Sequence, residues 1–296
     1  MPLSLRHCMI LQCSRNPIAS PSLGWAIFHS RLCYTFPMKK RDKIALGIFG
    51  IFYISIGAML ALFQNQVVYH PNSEDFTACP NFTEAEKVTA NGTRLYVHET
   101  EKPLVVFYHG NAGSACDRKH YADIFTAAGY GYIIVEYTGF SNDPHTPTHE
   151  SVKADVRNVI DYLAENHLTH ITVIGESIGT GIASYHASLV TPEKLLLISP
   201  FSSLGDIASH RFWFYPTSLL VDNAFDNVAL LADYQNPIMI IHGDNDGTIP
   251  YRLGQKLFSS LQTKKQFVTI AGGGHNNLFD YDETYTAITK FLIAEK

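Results

Sequence analysis

From residue 104 to residue 199 the chain alternates short apolar runs with longer stretches of helical spacing. The runs cover 104–108, 132–137, 171–174 and 195–199, and the helical stretches cover 115–128, 151–165 and 178–189. Alternation of this kind builds a parallel sheet with helices on both faces. Two more strand-like runs follow, at 237–241 and 267–270. Ahead of them, 84–90 and 93–100 flank Asn91-Gly92, the strongest short hairpin signal, and read as antiparallel edge strands. The expected class is α/β, a mostly parallel sheet covered on both faces. The sequence shows no internal repeat and no low-complexity tract.

Where the run at 171–174 meets the helical stretch at 178–189, the chain reads Gly175-Glu176-Ser177-Ile178-Gly179. A strand that turns at once into a helix takes a strained bend, and small residues must flank the middle one. The bend lifts the Ser177 hydroxyl out of the sheet and aims the helix N-terminus at charge developing on a substrate. An ordinary strand-to-helix turn can carry the same letters, so partners decide the matter. A serine hydroxyl needs a base, and that base needs an acid to orient it. The run at 237–241 closes on His242-Gly243-Asp244-Asn245-Asp246, and the run at 267–270 is followed by Gly272-Gly273-Gly274-His275. Serine, aspartate and histidine thus appear in that order, each beyond the C-terminal end of a strand. Such ends open on one edge of a parallel sheet. Upstream, 104–108 is followed by His109-Gly110-Asn111-Ala112-Gly113, small enough for a backbone N–H to face a substrate oxygen.

From about Val67 onward the chain resembles an α/β-hydrolase of the BEM46-like group, similar to single-pass alpha/beta hydrolase domain proteins. The residues that carry the likeness are His109-Gly110-Asn111, the Gly175–Gly179 motif, Ser199-Pro200-Phe201, His242-Gly243 with Asp246 and Ile249-Pro250, and Gly274-His275. The resemblance implies Ser177 as nucleophile, Asp246 as acid and His275 as base, with the Asn111 and Ile178 amides as oxyanion donors. Asp244 is the rival acid, and the register set by His242 and Pro250 favours Asp246. One departure concerns the active-site rim: the family usually runs Tyr-Arg-Gly-x-Gly-x-Ser, and this chain has Tyr137-Thr138-Gly139-Phe140-Ser141-Asn142.

The insert at 201–236 breaks the alternation. It is rich in aromatics, among them Phe201, Phe212, Trp213, Phe214, Tyr215 and Phe225. Either it roofs the site, with Trp213 and Phe201 against an apolar acyl group, or its rings simply pack it onto the domain. Shallow membrane contact is a further reading. His145 and His149 have a metal-like spacing, but Pro144 and Pro147 prevent a helix from aligning them. No metal and no cofactor is expected. His109 and His242 read as loop-fixing residues rather than bases.

Composition bounds the rest. A net charge of −5, with no basic cluster in the globular part, argues against nucleic acid as a partner. Hydrophobic residues make up 46% of the chain against 17% charged, and the charge-free segment 44–63 explains much of that excess. It has the length a helix needs to cross a hydrocarbon core, which favours an uncleaved anchor over a signal peptide. Lys39, Lys40, Arg41 and Lys43 precede it, and no lysine or arginine follows before Lys87. The positive-inside rule then puts the catalytic domain on the extracytoplasmic side of a single-pass membrane protein. Residues 1–37 read as a targeting leader or an over-extended start, with Met38 the favoured first residue. Residues 38–66 read as basic flank and anchor, and 67–296 as the hydrolase domain. Cys79 and Cys116 are either bridged or free. The expected substrate is a small-molecule or lipid-like acyl compound.

Overall fold

The computed structural model describes residues 39–294; the expectations for residues 1–37 lie outside them. Helix α1 (Lys40–Leu62) has 23 residues and is long and apolar enough to cross a membrane by length and composition. At 1.5 Å per residue it measures about 34 Å, against a hydrocarbon core of about 30 Å. A short helix α2 (Gln64–Val68) and a two-residue strand β1 (His70–Pro71) follow.

Strands β2 (Glu86–Ala90) and β3 (Thr93–His98) form the hairpin around Asn91-Gly92, where both residues take positive φ. Then come β4 (Leu104–Tyr108), β5 (Ala112–Gly113), α3 (Lys119–Ala127), β6 (Gly131–Glu136), α4 (His149–Glu165), β7 (Ile171–Glu176), α5 (Gly179–Leu189) and β8 (Lys194–Ile198). Three short helices fill the insert: α6 (Leu204–Arg211), α7 (Thr217–Leu220) and α8 (Asn227–Leu230). The chain closes with β9 (Ile238–Gly243), α9 (Tyr251–Ser260), β10 (Lys265–Ile270) and α10 (Asp282–Ile293).

Eight strands form one sheet in the order β10-β9-β8-β7-β4-β6-β3-β2. The six from β10 to β6 are parallel, and β2 and β3 run antiparallel at one end. Of these two only β2 is an edge, opposite β10 at the other end; β3 sits between β2 and β6, so the expected pair of edge strands is one edge strand and its neighbour.

Side chains alternate between two cores, as a period of two requires. Val106, Tyr108, Val173, Leu195 and Ile240 face one core, together with α4, α5 and α9 residues such as Val156, Ile182 and Leu257. Val105, Phe107, Ile174, Leu196 and Ile241 face the other, with Phe125 of α3 and Ile288 of α10. Covering both faces is why the central strands are buried at every position, where a one-faced strand would alternate. Helix α4 starts with a capping box: the Thr148 hydroxyl accepts from the Ser151 amide at 3.0 Å, and Ser151 Oγ accepts from the Thr148 amide at 2.9 Å. Cys79 and Cys116 are bridged, with Cα atoms 5.9 Å apart.

Candidate active site

Ser177 occupies the turn between β7 and α5 with φ +54, a left-handed conformation that side-chain-bearing residues rarely adopt. Its amide donates to the Ile198 carbonyl at 2.9 Å, which ties the turn to the end of β8. The flanking glycines are required by close approach. A Cβ on Gly179 would lie 2.1 Å from the Tyr108 carbonyl oxygen, and one on Gly175 would lie 2.3 Å from the Gly179 oxygen. The helix therefore starts hard against the sheet, and Ser177 is the residue left at the crest.

Ser177 Oγ lies 2.9 Å from His275 Nε2, and His275 Nδ1 lies 2.7 Å from Asp246 Oδ2. A carboxylate only accepts, so Nδ1 carries the hydrogen and Nε2 is free to accept from the serine hydroxyl. Asp246 is fully engaged. Its Oδ1 accepts from the Thr248 and Ile249 amides, each at 2.8 Å, and its Oδ2 also faces His242 Nε2 at 3.3 Å. His242 Nε2 is 3.1 Å from the Ile249 carbonyl oxygen as well, and only an N–H satisfies both acceptors. Burial pushes the Asp246 carboxyl up, but hydrogen bonds from His242, His275 and Ile249 outweigh it and hold the group below the usual carboxylate range. Asp244, the rival acid, instead accepts from the Gly272 amide at 2.7 Å. The arrangement can pass a proton from a hydroxyl to an imidazole whose cationic form faces a buried anion.

Asn111 and Ile178 line the same cavity as Ser177 and His275. The Asn111 side chain is committed elsewhere: its Oδ1 accepts from the His70 amide at 2.8 Å, and its Nδ2 donates to His70 Nδ1 at 2.7 Å. Strand β1 also pairs with β5, so the segment just after α2 is stitched to the loop that carries Asn111. Glu176 holds that loop from the other side. It accepts from the Gly110 amide at 3.1 Å and from Arg118 Nε at 2.7 Å. Burial alone would raise the Glu176 carboxyl; the Arg118 guanidinium and the Gly110 amide keep it lowered.

The cavity has a volume of about 830 Å³. One wall comes from the end of α1 and from α2, through Leu60, Gln64 and Val67, and another from the insert, through Ile207, Phe212 and Leu220. Phe201 lines it and is wholly buried. Trp213 does not. It is 80% exposed and stacks edge-on with Phe214, so the expectation that it contacts substrate is corrected: α6 ends at Arg211, and it is Phe212 and Tyr215 that reach the cavity. The 136–143 segment does not line the cavity either. Glu136 stands 3.3 Å behind His109 and accepts from Ser141 Oγ at 2.7 Å, so this segment backs the His109 loop. Ser141 and Asn142 take positive φ, and Arg94 of β3 donates to the Phe140 and Ser141 carbonyls. His149 and His145 have separate partners, Tyr69 and Asp143.

Residues 99–216 match the family model described as serine aminopeptidase, S33. An uncharacterized protein of Mycobacterium tuberculosis is 26% identical over 244 residues, which cover 77% of this chain and 87% of that protein. The lysophosphatidylserine lipase ABHD12 of Rattus norvegicus is 25% identical over 186 residues, 56% of this chain and 47% of the lipase. The chain therefore spans about half the length of that relative. Among solved structures, the butyrate-bound Est2 esterase of Thermogutta terrifontis aligns with a TM-score of 0.59 at 16% identity, over 72% of this chain and 95% of its own. The Paleococcus ferrophilus monoacylglycerol lipase aligns at 0.53 and 18%, over 68% and 98%. These structural likenesses are ones of fold. The chain has the α/β-hydrolase fold.

On this fold the sequence named the serine, the aspartate and the histidine that the structure brings within hydrogen-bonding distance. It did not name the Glu176–Arg118 brace, and it read His242 as a loop-fixing residue, where the structure sets its Nε2 against both Asp246 and the Ile249 carbonyl. A glutamate inside the serine motif, 58 residues from its arginine, has no local signal. The α1–α2 wall had one, the apolar pair Val67-Val68 directly after the anchor.

Proposed function

We propose that this chain is an α/β-hydrolase, a membrane-anchored serine hydrolase that cleaves acyl esters or thioesters through an acyl-enzyme on Ser177. The observation that carries the reading is the unbroken run of contacts from Ser177 Oγ through His275 to Asp246 on the floor of a largely apolar cavity. Ser177 Oγ attacks the acyl carbonyl while His275 Nε2 takes its proton, and Asp246 fixes the imidazole tautomer and stabilises the imidazolium. The Ile178 and Asn111 amides receive the oxyanion. His275 then protonates the leaving alcohol or thiol, and water, activated by the same imidazole, releases the acid. No step requires a cofactor. We read the chain as BEM46-like on its His109-Gly110-Asn111 and His242-to-Pro250 motifs.

Helix α1 serves as the anchor, with the basic flank Lys39–Lys43 on the cytoplasmic side and the domain outside the cytosol. The Cys79–Cys116 bridge supports that side, since disulfides persist in oxidising compartments. The lipase and esterase relatives support an acyl substrate with apolar parts. A peptidase reading draws on the description of the matched family model. The experiment is a panel of ester, thioester and amide substrates of matched acyl group, assayed with the wild type and with His275→Ala. Turnover of esters or thioesters that the variant loses is expected; turnover of amides alone would replace the esterase reading with the peptidase one.

A further inference from the structure

The insert carries an apolar patch with no protein cover: Trp213 is 80% exposed, Phe214 50% and Leu219 83%. Its position is fixed by contacts with α1. Tyr215 stacks on Tyr53 with ring centroids 4.5 Å apart and donates its hydroxyl to the Tyr53 carbonyl at 3.0 Å. Tyr53 in turn donates to the Phe214 carbonyl at 2.5 Å. Gly57 allows this approach, because a Cβ there would lie 3.0 Å from the Tyr215 ring. Tyr53 lies nine residues before the end of α1 at Leu62, about 13 Å along the axis. Beyond the level of Tyr53, α1 still exposes Ile54, Met59 and Leu62, and Phe63 just after it is exposed too. Lipid that covers α1 as far as those residues also reaches the insert packed beside Tyr53.

The insert's backbone suits that setting. Hydrocarbon offers no partner to a free N–H. The amides of Phe212, Tyr215, Thr217, Leu219 and Val221 each donate to a carbonyl within the insert, and Pro216 has no N–H to satisfy. The cavity that ends at Ser177 is walled by these same two elements, α1 with α2 on one side and α6 with α7 on the other.

Resting on the anchor reading above, we propose that the tip of the insert, residues 212–220, is embedded in the leaflet on the catalytic side, with Trp213, Phe214 and Leu219 in contact with acyl chains. The substrate is then a bilayer-resident acyl lipid that enters laterally between the end of α1 and the insert. The occupant of the patch is the hydrocarbon of the leaflet, because the patch continues the exposed apolar surface of α1.

Trp213 reports on this directly. The chain has two tryptophans, so a full-length Trp25→Phe protein leaves Trp213 alone. The protein is reconstituted into phosphatidylcholine vesicles, floated on a density gradient, and exposed in parallel to lipids brominated on the acyl chain and to aqueous iodide. Quenching by brominated lipid with protection from iodide is the expected result. Flotation with the vesicles but quenching by iodide alone overturns the embedded insert and leaves the anchor standing. Failure to float overturns the anchor, and this proposal with it.

A kinetic arm tests lateral entry. The pair Trp213→Glu and Leu219→Glu lies outside the cavity and is highly exposed, so folding is unaffected. It should lower turnover of a long-chain ester held in vesicles by about tenfold, and leave a soluble acetate ester unchanged. Equal loss on both substrates, or no loss on either, contradicts lateral entry.

Discussion

At the scale of single residues, the site depends on how few atoms Asp246 leaves unpaired. Because only that carboxylate faces His275, Asp246→Asn should lower kcat by about ten-thousandfold through the wrong imidazole tautomer. Asp244→Asn, which touches only the Gly272 amide, should stay within a few-fold of wild type; steady-state kinetics on both variants decide the register. Glu176 makes a subtler prediction. Glutamine there can still accept from the Gly110 amide but cannot hold Arg118 as an ion pair, so the oxyanion loop loosens. Glu176→Gln should reduce kcat by about tenfold with KM nearly unchanged, a fraction of what losing a whole oxyanion donor costs. Ser177, Asp246 and His275 were legible because their residue types and chain order follow from the chemistry. The brace was not, since side-chain pairing across the site depends on how α3 and β7 meet.

At the scale of elements, each strand of the parallel sheet could be read because burial on both faces leaves an apolar run. The helices were read within a few residues of their ends; the 115–128 stretch begins as a 3₁₀ turn at Ala115–Arg118 before α3 takes over. The insert was harder. Its aromatics have no period, so sequence could not say which rings turn inward, and it named Trp213 where Phe212 and Tyr215 line the cavity. A chain-length test therefore belongs to the residues that do. Each buried methylene contributes up to about 0.8 kcal/mol, so catalytic efficiency should rise about fourfold per carbon until the cavity fills. Leu220→Ala should flatten that rise in a series of p-nitrophenyl esters and spare the acetate. Helix α5 carries a pH dependence of its own. Burial lowers the His186 imidazole to about 4, while the unfolded value is about 6.5. The unfolded chain therefore binds more protons between those values, and stability falls as pH drops from about 6.5 to about 4, by on the order of 3 kcal/mol. Denaturant titrations across that range should show a steeper slope in the wild type than in His186→Gln, which keeps the contributions of the partly buried His120 and His149.

At the scale of the whole molecule, the end of α1, the bridge and the site form one mechanical path. The chain leaves α1, passes through α2 as a cavity wall, and pairs β1 with the loop that holds Asn111. The Cys79–Cys116 bridge then closes a 37-residue separation next to α3. Reducing it should cost about 2–4 kcal/mol of stability, measured by denaturation with and without reductant. The proposed anchor and its sidedness are read separately: carbonate extraction should leave the protein in the membrane pellet, and protease added on the extracytoplasmic side should digest the domain; extraction into the supernatant contradicts the anchor, and protection from protease contradicts the side. The central claim is the nucleophile, and covalent labelling reads it without knowledge of the substrate. Full-length protein in membranes is treated with a fluorophosphonate probe, and the modified peptide is identified by mass. The account predicts a single adduct on Ser177 that is absent from a folded Ser177→Ala protein. An adduct on another residue, or labelling that persists in Ser177→Ala, contradicts it.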